Sequence, residues 1–270
     1  MKKKRLIPVL LLKDGWLVQS KSFSKYQNLG NPYTAVKRLS EWAADELIYL
    51  DISKGDAHDL RRDDLNIENK SKFLDIIEEV SKVSFMPITV GGRIRSLEDI
   101  EERLRRGADK IALNTHALAV PSFIELAAKR FGSQCIVIGI DVKRDASGVY
   151  RVMTGGGKAP TPYTPEEWAN RVEGLGAGEI LVSSIDRDGM KTGYDLELLD
   201  RICGNARVPI IALGGAGEWE HFEEAFNKTS VDAVAAANIF HYVDQSVYLA
   251  KKYLYDNGLP VRKPFIAKLI

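Results

Sequence analysis

Val208–Pro–Ile–Ile–Ala–Leu–Gly–Gly–Ala–Gly217 decides how the chain reads. The apolar run from Ile210 to Leu213 is too short for a helix and reads as a buried strand. Gly214 and Gly215 free the backbone behind it from Cβ sterics, so its N–H groups can approach a ligand closely. A helix starting near Glu218 then points its positive end at the same place, and together these make a phosphate-binding turn. A second stretch, Met86–Pro–Ile–Thr–Val–Gly–Gly–Arg–Ile94, has the same layout, with Gly91, Gly92 and Arg93 at the turn. The neighbours repeat as well. Gly107–Ala–Asp–Lys–Ile–Ala–Leu–Asn114 answers to Val231–Asp–Ala–Val–Ala–Ala–Ala–Asn238, and Asp45–Glu–Leu–Ile–Tyr–Leu–Asp–Ile52 to Gly178–Glu–Ile–Leu–Val–Ser–Ser–Ile185. A repeat this long implies two related halves, each with its own phosphate end.

Working outward, strand-like runs fall near 6–12, 46–51, 87–90, 110–114, 135–141, 179–184, 209–213 and 233–237. Helical patterns lie near 32–44, 69–83, 96–105, 121–131, 165–175, 195–203, 218–227 and 244–257. Asn31–Pro32 and Thr164–Pro165 place a capping residue before a proline at the first helical position. Eight strand–helix pairs with near-continuous apolar strands predict an α/β fold, a single (β/α)8 TIM barrel spanning 1–270 with half-barrels of roughly 1–120 and 121–260. A doubly wound sheet also alternates strand and helix, but eight regular units and a twofold repeat favour closure. Three long loops, Lys13–Gly30, Ser53–Asn66 and Arg144–Thr164, follow strands one, two and five and are expected to cover the mouth. Gly148–Gly155 in the last can form a hairpin.

Composition bounds the function. The chain has 270 residues, 45% of them hydrophobic and 28% charged, with a formal net charge of +1. That size supports a full core, and the near-neutral balance argues against nucleic acid as a main partner. Cys135 and Cys203 sit in apolar surroundings without zinc spacing, as in a cytoplasmic protein. The start, Met1–Lys–Lys–Lys–Arg5 followed by Leu6–Leu12, mimics a secretory signal, but it runs into Lys13–Asp14 and reads as a first strand. No run is long enough to span a membrane. His58, His116, His221 and His241 are scattered, so no metal site and no cofactor are expected.

The polar residues at strand ends carry the candidate chemistry. Asp141 ends strand five over the barrel mouth, where it can act as a general acid or base. Asp51 ends strand two in the same way. Ser183, Asp188 and Gly189 crowd the loop after strand six. Asn114–Thr115 and Ala237–Asn238 end strands four and eight and would complete the two phosphate cups. Lys13, on the first loop, could reach an anion.

These motifs resemble one family over nearly the full chain, the cyclase subunit of imidazole glycerol phosphate synthase. The matching stretches are Leu12–Lys–Asp–Gly15, Asp45–Glu–Leu47, Leu50–Asp–Ile52, Thr89–Val–Gly–Gly92, Arg106–Gly–Ala–Asp–Lys110, Asn114–Thr115, Phe131–Gly–Ser–Gln134, Ile140–Asp141, Lys143–Arg144, Gly176–Ala–Gly–Glu–Ile180, Ser184–Ile–Asp–Arg–Asp–Gly189 and Gly214–Gly–Ala–Gly217. The resemblance implies a barrel with two phosphate sites that binds a phosphorylated small molecule. It also implies a glutaminase subunit docked at the N-terminal face, sending ammonia through the barrel. A four-charge gate would fall on Arg5, Glu46, Lys110 and Glu179, and Asp109 would face the glutaminase.

The departures point elsewhere. The family's catalytic pair is two aspartates; Asp141 matches one, and the other falls on Leu11. Gln19 stands at a substrate-loop lysine, Leu213 and Asn238 at small hydroxyl positions, and Arg93 at a glycine. Paralogues from surface-glycan clusters carry a similar Ile–Pro–x–Leu–Leu–Leu first strand and work with a separate sugar amidotransferase to install acetamidino groups. The sequence therefore favours such an ammonia-conducting paralogue. A true cyclase and lyase of histidine biosynthesis is the alternative, and a scaffold that only activates a glutaminase is the third.

Overall fold

The computed structural model describes residues 2–55, 58, 70, 72–242 and 244–266. The first part of the chain forms β1 (Arg5–Lys13), β2 (Trp16–Lys21), β3 (Lys25–Gly30), α1 (Pro32–Glu41), β4 (Leu47–Asp51), α2 (Phe73–Val83), β5 (Ile88–Gly91) and α3 (Leu97–Arg105). There follow β6 (Lys110–Leu113), α4 (Thr115–Ala119), α5 (Ser122–Phe131), β7 (Ile136–Arg144), β8 (Tyr150–Thr154), β9 (Ala159–Pro160) and α6 (Pro165–Gly174). The last part holds β10 (Glu179–Ser184), α7 (Leu196–Cys203), β11 (Ile210–Leu213), α8 (Trp219–Lys228), β12 (Ala233–Ala236) and α9 (Ser246–Asp256).

Eight of the strands pair in parallel around a ring, β1–β4–β5–β6–β7–β10–β11–β12, and β12 returns to β1. The sheet is thus closed, a (β/α)8 barrel. Asn31 accepts a hydrogen bond from the Tyr33 amide, and Thr164 forms a capping box with Glu167, so both proline-led helices start where the sequence places them.

The first long loop differs from expectation. Lys13–Gly30 folds as an antiparallel extension, β2 pairing with β1 and β3 with β2. The polar run of β3 gave no strand signal because it is largely exposed and its order comes from pairing alone. The Gly148–Gly155 stretch does form a hairpin arm, with β8 antiparallel to β7. Most of the Ser53–Asn66 loop lies outside the described residues.

Alternation sorts the strand residues into two cores. Ile7, Val9, Ile48, Ala112, Val137, Leu181, Ile211, Ala233 and Ala235 fill the lumen, with Leu11, Leu50, Leu213 and Ala237 at its upper end. Leu6, Leu10, Leu12, Leu47, Tyr49 and their equivalents face outward against the helices.

One buried ion pair ties the last helix to the first strand. The Lys251 Nζ of α9 donates to Asp45 Oδ1 at 2.8 Å and to the Ala43 carbonyl at 2.6 Å. Asp45 Oδ2 in turn accepts from the Leu6 amide at 2.9 Å. Both side chains are almost fully buried, and burial lowers the Lys251 pKa against the pull of Asp45. Removing one member of a buried pair strands the other charge. Lys251→Ala is therefore expected to cost about 3–5 kcal/mol in urea unfolding. A loss well under 1 kcal/mol would show that the pair does not hold α9 to the barrel.

Candidate active site

The C-terminal ends of the ring strands open into a cavity of about 970 Å³. Asp141, at the inward position of β7, sits at its base beside Ser183, its Cα partner on β10. Asn114 Nδ2 donates to Asp141 Oδ2 at 2.8 Å. Burial pushes the Asp141 carboxyl up to about 6, opposed by the hydrogen bonds from Asn114 and Ser183 and reinforced by the charge of Asp188. An acid titrating there can both accept and return a proton near neutrality. Leu11 and Leu50, Cα partners across β1 and β4, also line the cavity, giving that side of the mouth an apolar wall.

The two glycine turns align residue for residue, Gly92 with Gly214 and Arg93 with Gly215. Gly92 and Gly214 have φ of 109° and 103°. A Cβ would lie 2.2 Å from the Asp51 carbonyl oxygen at the first and 2.7 Å from that of Ser184 at the second, so glycine is required at both. The helix N-termini behind them are capped from within. Asp99 Oδ2 accepts from the Arg95 and Ser96 amides at 2.8 and 3.0 Å. His221 Nδ1 accepts from the Gly217 and Glu218 amides at 3.1 and 3.3 Å. A side chain at the third helical position thus takes up the amides of the capping residue and of the one before it in both halves, which fixes the turn that leads into each helix. Sequence reading missed Asp99 and His221, although Ser96–x–x–Asp99 is a recognisable capping box.

Asp51 differs from Asp141 in being fully paired. Arg93 Nε and Nη2 reach its Oδ2 at 3.0 and 2.9 Å, and the Ser53 amide donates to Oδ1 at 2.9 Å. Arg93 Nη1 also donates to the Gly55 carbonyl at 2.7 Å. Thr115, Gly92, Gly214, Ala237 and Asp188 line the cavity as well. Gly91 lies below the mouth, where a Cβ would come within 2.7 Å of Leu50 Cδ2. Gly215 packs on the Gly193 carbonyl, and Lys13 turns aside to pair with Asp14 at 3.1 Å.

The β2–β3 hairpin closes over this mouth. Asp188 Oδ2 accepts from Ser20 Oγ at 2.8 Å and the Phe23 amide at 3.2 Å, and burial raises its pKa. Asn238 Nδ2 donates to the Ser20 carbonyl at 2.9 Å. Asn238 and Gly189 line a smaller polar pocket of about 270 Å³ beneath the hairpin. Sequence reading also missed a cationic rim: Lys54, Arg95, Lys143 and Lys158 line the large cavity. Lys143 lies on β7 and the others on separate connecting segments, so no single sequence pattern joins them.

At the opposite end of the lumen four charges meet. Arg5 Nη1 bonds Glu46 Oε1 and Glu179 Oε1 at 2.7 and 2.9 Å, and Lys110 Nζ bonds Glu46 Oε2 and Glu179 Oε1 at 3.0 and 3.2 Å. Burial opposes the Arg5 charge, but Glu179 and Glu46 outweigh it and raise its pKa; Arg5 and Lys110 likewise lower that of Glu46 against burial. Arg5 Nη2 and Glu179 Oε2 are buried without a partner. Asp109 lies exposed at this face, where its Oδ2 accepts from the Ile88 amide at 2.8 Å.

The raised Asp141 pKa has a stability signature. The folded chain binds this proton more tightly than the unfolded chain does. The associated stability is complete below the ordinary carboxylate range and is lost as pH rises through about 6. Asp141→Asn is expected to exceed the wild type in stability at pH 8 by up to roughly 3 kcal/mol, the two converging below about pH 4. Thermal unfolding across that range checks it, and a difference independent of pH would contradict the assignment.

Comparison with known proteins places this geometry. The model of the family described as "Histidine biosynthesis protein" matches residues 5–246. Imidazole glycerol phosphate synthase subunit HisF of Geobacillus kaustophilus (strain HTA426) is 45% identical over 260 residues, covering 96% of this chain and 99% of the relative. The subunits of the same name from Dehalococcoides mccartyi (strain ATCC BAA-2266 / KCTC 15142 / 195) and Bacillus cereus (strain G9842) are 43% and 41% identical. They cover 97% and 96% of this chain and 99% and 98% of the relatives. The closed ring of parallel strands is the fold of a chain that belongs to the histidine biosynthesis protein family, alongside the HisF subunits of imidazole glycerol phosphate synthase.

Proposed function

We propose that this chain is the ammonia-accepting synthase subunit of a two-component glutamine amidotransferase of the imidazole glycerol phosphate synthase type. The observation that carries the reading is a single lumen with a ring of four charges at one end and a buried acid of raised pKa at the other. A glutaminase subunit docks at the N-terminal face, near Asp109. Ammonia crosses as the neutral molecule, because an apolar bore penalises ammonium heavily. The unpaired Arg5 Nη2 and Glu179 Oε2 offer it a donor and an acceptor at the entrance. Ile7, Val9, Val137 and Leu181 exclude water along the way. At the mouth, Asp141 moves the proton as nitrogen bonds to the acceptor, and Asn114 and Ser183 hold its carboxyl in place. The acceptor is phosphorylated, held by the two glycine turns and the cationic rim.

The names of the relatives favour the bisphosphate of histidine biosynthesis as that acceptor, giving imidazole glycerol phosphate and an aminoimidazole carboxamide ribotide. Leu11 favours a second reading. A leucine cannot transfer a proton, and loss of one positioned acid typically costs ~10²–10⁴-fold. On that reading the chain supplies ammonia for acetamidino modification of a nucleotide-linked sugar, with a separate sugar amidotransferase. A pure scaffold is disfavoured, because a buried carboxyl with no proton to move is a standing cost.

The bisphosphate supplied with ammonium salt separates the readings. Robust turnover supports the histidine-type reaction, and Leu11→Asp should then raise it further. Absent turnover, with stimulation of a co-purified glutaminase, supports the sugar pathway. In either pathway Lys110→Ala is expected to lower the glutamine-dependent rate while sparing the ammonium-dependent one. Equal losses in both would remove the ring from ammonia delivery.

A further inference from the structure

The twin turns share one constrained glycine, Gly92 and Gly214, and part at the next residue. Gly215 has φ of 104°, whereas its counterpart Arg93 is held at 53°, a left-handed conformation that costs a residue with a Cβ about 1–2 kcal/mol. Such strain persists only where surrounding contacts fix it, and it concentrates at ligand-binding sites. Here the fixing contacts are specific. The Asp51 carboxylate, with no exposed side-chain surface, grips the Nε–Nη2 edge of the guanidinium, and the Gly55 carbonyl takes Nη1. The guanidinium is presented at the cavity wall with about a quarter of the side chain exposed.

The asymmetry extends around the mouth. Among the described lining residues the cations are Lys54 after β4, Arg93 and Arg95 after β5, Lys143 near the end of β7 and Lys158 between β8 and β9. The ends of β11 and β12 contribute only Leu213, Gly214 and Ala237. A twofold-repeated mouth with two equal cups would accept a two-ended phosphorylated ligand in either direction. A guanidinium at one cup removes that degeneracy, since a charge-assisted bond to phosphate is about twice as strong as a neutral one.

We propose that Arg93 makes the first glycine turn the stronger anion site and so fixes which end of a two-ended phosphorylated ligand lies there, with Asp51 as the residue that positions it. This rests on the reading of the mouth as a phosphate site, and it is independent of the ammonia route.

The test is a titration of the full chain with inorganic phosphate, followed by the amide resonances of Thr115 beside the first turn and Gly214 in the second. In the wild type Thr115 is expected to respond at lower phosphate than Gly214. Arg93→Gly should raise the Thr115 midpoint about tenfold or more and leave that of Gly214 in place. Its melting temperature should fall, because the strain that glycine relieves at this φ does not offset an Asp51 left buried without its counter-ion, so the midpoints are read at a temperature where the variant is fully folded. Arg93→Lys, which keeps the charge without the fork, should lie between the two. Equal midpoints in the wild type, or a Thr115 midpoint unchanged or lowered in Arg93→Gly, would overturn the proposal while leaving a phosphate mouth intact. No response at either amide in the wild type would overturn the phosphate reading, and the role of Arg93 with it.

Discussion

Closing eight parallel strands into a ring sends every second side chain into a narrow lumen, and the rest of the molecule depends on what is placed there. At the middle levels the answer is apolar and often small: Ile7, Val9, Val137, Leu181, Ala112, Ala233 and Ala235. At the lowest level it is four charges that satisfy one another, because Arg5 and Lys110 each reach both Glu46 and Glu179. Without its three partners, any one of these charges would bear the full cost of leaving water. At the top it is Asp141, buried but only partly satisfied by Asn114 and Ser183, and therefore reluctant to ionise. The two ends of one bore thus differ in kind: a charge-paired network below, and above it a single acid that keeps its proton up to about pH 6.

The mouth shows how two related turns diverge without losing the backbone that defines them. Gly92 and Gly214 are constrained alike by a carbonyl oxygen of the neighbouring strand end, which leaves no room for a Cβ. Behind each, a side chain at the third helical position folds back to take up the first amides, Asp99 in one half and His221 in the other. The next residue is unconstrained by that packing in the first half, and there the turns part, Arg93 against Gly215. The hairpin of β2 and β3 adds a second difference. Beyond its pairing with β1, it is latched to the β10 and β12 sides of the mouth through Asp188 and Asn238.

Much of this is legible in the sequence. All eight ring strands and the helices after them lie within a few residues of their predicted places, because fully buried strands and amphipathic helices have unmistakable periods. Asp141, Asn114, Thr115, Ser183 and Gly214 are brought to one cavity, as strand-end positions in a barrel require. Arg5, Glu46, Lys110 and Glu179 do meet on one level. What is not legible falls where local pattern carries no information. Lys13 pairs with the neighbouring carboxylate of Asp14. The amides just before each helix N-terminus are taken by Asp99 and His221. The β3 strand has no apolar period, because it pairs with β2 in solvent and never enters a core.

The sequence by itself determined the closed barrel, its twofold repeat of motifs and the levels at which charged and acidic residues enter the lumen. The barrel and its repeat follow from side-chain periodicity and repeated motifs, the acid at the mouth from its strand end, and the ring of four charges from the resemblance. Only the tertiary structure decided which of two similar strand-end aspartates is chemically available. Both read as strand-end acids in the sequence, but in the ring Asp51 alternates with the lumen residue Leu50, whereas Asp141 shares the inward parity of Val137. The fold sets Arg93 and the Ser53 amide on the first and only neutral hydrogen-bond donors on the second. Charge pairing makes Asp51 part of the framework, and burial without a counter-ion leaves Asp141 the proton to move.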